Sequence, residues 1–141
     1  MEEITGYDET ITGVNRGTFI KYSIAESSSI GVLARCVESG RILGYGIFRR
    51  SDQWTIVPQP LYANTVDIAE VLIYSAMHKF AGIKRLSMEC WDVNDDACRI
   101  LAKNRLGLEQ IRYSAVMFTE KDLCINFKHI FASSPSPFYP F

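Results

Sequence analysis

The sequence predicts a mixed α/β fold built on one curved sheet, and three observations carry that class. Runs rich in β-branched and aliphatic residues at 30–37 and 42–48 are joined by Glu38-Ser39-Gly40-Arg41, the pattern of a hairpin with glycine in the turn. Further on, Ile68, Val71, Leu72, Ala76 and Phe80 recur at helical spacing. Helix-like and strand-like segments then alternate, so some connections cross over and part of the sheet is parallel. Such an order places helices on the faces of a central mixed sheet.

The elements follow in order. Between residues 10 and 23, Ile11, Val14, Phe19, Ile20 and Tyr22 sit among glycine and asparagine, which reads as one short or broken helix. The polar break Glu26-Ser27-Ser28-Ser29 separates it from the hairpin strands. A third strand is expected over 53–62. Its second half should bulge, splay or lie at an edge, because Pro58 and Pro60 cannot donate to a ladder. Asn64, followed three residues later by Asp67, resembles an Asx capping box, opening a helix over 65–80 that Gly82 stops. Residues 86–91, Leu-Ser-Met-Glu-Cys-Trp, alternate like a half-buried strand. Asn94-Asp95-Asp96 then opens a helix through Ala97, Ile100 and Leu101 that ends at Gly107. Strands over about 109–118 and 123–132 complete one domain, 1–132, and 133–141 is a tail of Pro, Ser and aromatic residues.

Composition narrows function. With 141 residues, 48% apolar and 22% charged, the chain can bury a core without staples. Fifteen Lys and Arg against sixteen Asp and Glu leave a net charge of −1, too balanced for a nucleic-acid binder. No apolar run approaches the roughly 18 residues of a membrane span, and Met1-Glu2-Glu3 is acidic where a signal peptide is basic. A soluble, cytoplasmic protein is the expectation. Cys36, Cys90, Cys98 and Cys124 are widely spread, form no Cys-x-x-Cys, and accompany only His78 and His129. No metal site is expected, and the cysteines read as ordinary thiols in a reducing compartment.

Several short motifs carry a resemblance. Leu43-Gly44-Tyr45-Gly46, Pro60-Leu61-Tyr62-Ala63-Asn64 with Ile68-Ala69-Glu70, and Asn94-x-x-Ala97 with Gly107-Leu108 resemble a GNAT acyltransferase domain, more narrowly the C-terminal domain of YitH-like two-domain proteins. Gly6-Tyr7-Asp8 with Gly13 and Arg16 resembles the start of that domain. The resemblance implies transfer of an acyl group from acetyl-CoA or another acyl-CoA to an amine. It also implies a preceding GNAT domain; a homodimer through an exposed strand or the aromatic tail is a separate reading. In this superfamily coenzyme A lies between two parallel strands that splay, here 53–62 and 85–91. Its pyrophosphate rests on the N–H groups opening the next helix, where free donors and the helix dipole favour an anion. Leu61, Tyr62, Asn64, Thr65, Val66 and Ala69 then become the cofactor-binding residues, with Asn94 on the pantetheine arm.

The sequence also departs from the family pattern. The phosphate loop maps onto Asn64-Thr65-Val66-Asp67-Ile68-Ala69, where only Ala69 matches, and Asp67 and Glu70 put carboxylates in the first turn. The family's tyrosine acid falls on Leu101, which has no proton to give. No acid stands in 53–62, so Glu89 is the candidate base, acting through water, although alternation also makes it a solvated-face residue. Asn94 equally suits a plain N-cap. Arg99, Lys103 and Arg105 suit a 3′-phosphate or simply a helix C-terminus. Tyr62, Tyr74 and Tyr113 are potential proton donors or core residues, Trp54 and Trp91 read as sheet packing, and His78 as solvent-facing. Two functions follow: an acyl-CoA-dependent N-acyltransferase, or a non-catalytic GNAT-like binding or structural module that has lost tight coenzyme binding.

Overall fold

The computed structural model describes residues 1–103 and 125–133. Where the sequence predicts one broken helix over 10–23, the chain forms two, α1 (Glu2–Thr12) and α2 (Gly17–Ala25). Gly13 separates them. It adopts φ 72°, the left-handed region that glycine enters without strain, and its N–H donates to Glu9 O to close α1. Ile11 and Ile20 turn inward, whereas Val14 and Tyr22 are exposed.

The hairpin forms as expected. β1 (Ser29–Arg35) and β2 (Ile42–Arg50) pair antiparallel from Ser29↔Arg49 to Arg35↔Ile42, with Gly40 at φ 68° in the turn. β3 (Thr55–Ala63) pairs antiparallel with the other edge of β2. Gly46 faces Leu61 but Phe48 faces Pro58, so β3 carries an extra residue across Gln59-Pro60. A bulge there suits Pro58 and Pro60, which have no N–H to donate. Close packing explains two glycines of β2: a Cβ on Gly44 would lie 2.8 Å from Tyr62 O, and one on Gly46 would lie 2.6 Å from Phe48 Cε2.

α3 (Val66–Lys79) follows, but its cap is Thr65 rather than Asn64: Thr65 Oγ1 accepts from the Ile68 N–H at 3.4 Å. The chain then crosses to β4 (Arg85–Leu86), which pairs parallel with the start of β3 through Thr55↔Arg85 and Ile56↔Leu86. α4 (Asp95–Lys103) comes next. Of the strand predicted over 123–132, the described part is a 3-10 turn at Phe127–His129 and β5 (Ile130–Ala132), antiparallel to the end of β3. The strand expected over 109–118, together with Arg105, Gly107, Tyr113, Cys124 and residues 134–141, lies outside the described residues.

The sheet runs β1-β2-β3-β4 with β5 also on β3, and helices cover both faces. On one face α3 and α4 bury Ala69, Leu72, Ile73, Ala76, Ala97 and Ile100 against Phe48, Ile56, Leu61 and Phe131. On the other, Ile11 and Ile20 of α1 and α2 meet Tyr45, Ile47, Tyr62 and Ile130. This is why β2 and β3 are apolar almost throughout: alternate side chains go to different cores, one on each face of the sheet.

Candidate functional site

β3 and β4 stay together only briefly. The Ser87 N–H donates to Ile56 O at 3.0 Å, and beyond that rung the two segments part. The strand predicted over 86–91 therefore shortens to Arg85–Leu86, because the far end of β3 takes β5 as its partner through Leu61↔Ala132 and Tyr62↔Ile130. The other side of β5 is tied as well, since the Ser133 N–H donates to Glu89 O at 3.2 Å. Residues 130–133 thus lie in the parting, bonded to β3 on one side and to the segment after β4 on the other.

Asn94 is the clasp of this arrangement and is 3% exposed. Its Oδ1 accepts from the Ala97 N–H at 3.0 Å, capping α4, while Nδ2 donates to Phe127 O, Lys128 O and Ile130 O at 3.0, 3.2 and 2.8 Å. One amide serves as helix cap and as anchor of the chain's own strand. His129 adds a contact of 3.0 Å from Nδ1 to Ala63 O; a carbonyl only accepts, so Nδ1 carries the proton. Phe131 is 1% exposed and packs on the α3 side, while Ile130 packs on the α1 side.

The residues proposed from sequence are only partly gathered here. Leu61 and Tyr62 are buried and paired to β5, and Asn94 meets them through that strand. Asn64, exposed, stands just before α3, its N–H on Leu43 O at 2.8 Å and its Oδ1 accepting from the Tyr7 hydroxyl at 2.8 Å. Thr65 caps α3, Val66 is half-buried in the first core, and Ala69 is wholly inside it. Asp67 is exposed in the first turn. Glu89 is exposed, Leu101 half-buried, and Arg99 pairs with Asp96 at 3.1 Å. The side chain of Lys103 lies outside the described residues. Trp91 packs on Phe127 with ring centroids 4.7 Å apart and the planes tilted by 59°, but Trp54 does not pack the sheet: it is 40% exposed, with Lys84 Nζ 4.2 Å from its ring. Tyr74 and His78 are exposed on α3. An open groove of about 300 Å³, off the parting, runs beside Glu3, Tyr7, Arg35 and Arg41, where Arg35 pairs with Glu3.

A buried polar cluster goes beyond the roles read from the sequence. Asp8 is 0% exposed and Arg16 is 6% exposed, and they pair through Nε to Oδ2 at 2.9 Å and Nη2 to Oδ1 at 2.5 Å. The Tyr45 hydroxyl donates to Asp8 Oδ1, Thr12 Oγ1 donates to Asp8 O, and Arg16 Nη2 donates to the Tyr62 hydroxyl at 3.0 Å. Burial pushes the Tyr62 phenol up to about 12 and the Tyr45 phenol higher still, the latter helped by the Asp8 charge. Burial works against the Arg16 charge, but the hydrogen bond to Asp8 and the surrounding groups outweigh it and hold its pKa above the usual range. The available signal was a carboxylate at Asp8 on the same helical face as Ile11 and Thr12.

The family model for the acetyltransferase (GNAT) domain matches residues 4–132. The chain belongs to the GNAT acetyltransferase domain family. A solved structure described as "Crystal structure of a probable acetyltransferase" is similar in fold, with a TM-score of 0.51 and 17% identity over 73% of this chain and 77% of that one. No curated protein matches the chain. The chemistry of this GNAT family is acyl transfer from acyl-CoA to an acceptor. Tested against that substrate, the parting of β3 and β4 does not fit the arm of coenzyme A as it stands. β5 fills it, Pro58 and Pro60 offer no N–H, and Asn94 has spent its donors on carbonyls of residues 127–130. Among the described residues no helix is long and apolar enough to cross a membrane, and no group of three or more His, Cys, Asp or Glu is placed to hold a metal.

Proposed function

We propose that this GNAT domain serves amine acylation as the acceptor-binding or structural module beside a domain that carries acyl-CoA, with its own cleft closed by residues 130–133. The observation that supports it is the seat of β5 between β3 and Glu89. Opening the cleft would re-expose Ile130 and Phe131, at roughly 1.5–3 kcal/mol for each side chain. About 4 kcal/mol in total weakens any ligand that needs the cleft by roughly 1,000-fold. The first turn of α3 adds to this, since Asp67 faces solvent where a pyrophosphate would sit and repels it. Leu101, seven residues after Asn94, leaves a departing thiolate without a proton donor. Likeness to the C-terminal domain of YitH-like two-domain proteins is consistent with this role.

A second reading has its own support in the family match over 4–132 and in a real parting after Ile56 and Leu86. In it the chain alone is an acyl-CoA-dependent N-acyltransferase. Once 130–133 has left, Leu61, Tyr62, Asn64, Thr65, Val66, Ala69 and Asn94 would bind acetyl-CoA, and Glu89 would take the amine proton through water. Proximity would then supply most of the rate enhancement.

Thermal unfolding with added acetyl-CoA separates the two, because a ligand of the folded state raises Tm. The module reading expects no shift at millimolar acetyl-CoA and no turnover by this chain across a panel of amines. A clear rise in Tm, or turnover, establishes the second reading instead. Under that reading Asp67→Gly tightens acetyl-CoA binding.

A further inference from the structure

The segment that grips β5 carries two cysteines. Cys90 lies between Glu89, whose carbonyl accepts from Ser133, and Trp91, which packs on Phe127. Cys98 sits in α4 one residue after Ala97, whose N–H is held by Asn94. Their Sγ atoms are 3.8 Å apart, and both residues are half-buried. Asn94 is midway along the loop that they bracket.

We infer that Cys90 and Cys98 are a dithiol–disulfide pair, a redox modification site whose S–S bond closes the 90–98 loop around Asn94. A disulfide needs its sulfurs at about 2.05 Å, a closure of less than 2 Å from the observed 3.8 Å. Residues 88–93 belong to neither a strand nor a helix, and Asp92 and Val93 are exposed. The oxidant is a small-molecule disulfide. Burial, then the neighbouring Cys98, pushes the Cys90 thiol up to about 12, so Cys90 stays protonated near neutrality. One thiol of the pair, as its thiolate, displaces one small thiolate and forms a mixed disulfide. The other gives its proton to solvent and attacks that protein sulfur, expelling the second thiolate. Two protein thiols and one small disulfide become one protein disulfide and two small thiols.

Closing this loop fixes both clasps of β5, Asn94 and the carbonyl of Glu89, and so stiffens the strand in the parting. The inference does not depend on either reading of acyl-CoA.

The test incubates the full chain with glutathione disulfide, alkylates the remaining thiols and digests with trypsin. Residues 86–99 form one tryptic peptide that holds both cysteines. The expected result is loss of two hydrogens and of both alkylation sites from that peptide, reversed by dithiothreitol. Cross-linking is faster at higher pH, and amide exchange at 130–133 slows several-fold. Cys36→Ser retains the cross-link, whereas Cys98→Ser abolishes it. Full alkylation of both cysteines after oxidation overturns the inference, as does pairing of either with Cys36, with Cys124 or between chains. The wild-type peptide mass decides this even where a variant fails to fold.

Discussion

Asp8 is a carboxylate without access to water, held by Arg16, by Tyr45 and, through Arg16, by Tyr62. Removing one partner of a buried pair leaves the other charge uncompensated, typically at a cost of about 3–5 kcal/mol. Asp8→Ala is therefore expected to lower unfolding free energy by that order in urea titrations, and a loss below about 1 kcal/mol would show that the pair is solvated. The tyrosines of the cluster add a pH dependence. Tyr62 titrates near 10 when unfolded and at about 12 when folded, so the native state favours the neutral phenol. Its contribution is complete below pH 10 and is lost as pH rises from about 10 to 12. Tm should fall across that window together with the appearance of tyrosinate absorbance, while a flat Tm there contradicts the burial of these hydroxyls. The residues of this cluster were visible in the sequence, but their joining was not, because Asp8, Tyr45 and Tyr62 meet only once three separate elements have packed.

Local pattern foretold most of the elements, and it erred where a neighbour decides. The helix expected over 65–80 forms at Val66–Lys79 because its apolar stripe is complete, and the β1–β2 hairpin forms because Gly40 supplies the turn. The cap moved from Asn64 to Thr65 since Asn64 is engaged by Tyr7 and Leu43, contacts that no local rule contains. The strand expected over 86–91 shrank because β3 prefers β5 beyond Ile56, a choice made between segments roughly 70 residues apart. Asn94 illustrates the same limit: its cap role was legible, its grip on residues 127–130 was not. This grip yields a prediction. Asn94→Asp keeps the oxygen that caps α4 but sets a carboxylate against three carbonyls. The variant should lose about 2–4 kcal/mol of stability, and amide exchange at 130–133 should quicken. Unchanged exchange would mean that Asn94 does not hold β5.

At the scale of the whole molecule, two cores flank one sheet, and β5 touches both, with Phe131 in one and Ile130 in the other. A strand so placed is part of the fold's stability as well as a stopper in the parting of β3 and β4. Phe131→Ala separates these roles by size: the loss of a fully buried aromatic ring costs about 3–5 kcal/mol and should lower Tm markedly, while leaving a chain more open to acetyl-CoA at low temperature. Short motifs carried the resemblance to the GNAT family, and alternation, turns and helical stripes gave most of the elements, because these are local properties. Which edge the last strand takes is a global one. The most direct measurement is a crystal structure of this chain grown with millimolar acetyl-CoA. The account predicts Leu61 and Tyr62 still paired with Ala132 and Ile130. Electron density for a pantetheine arm along β3, with residues 130–133 displaced, would contradict it.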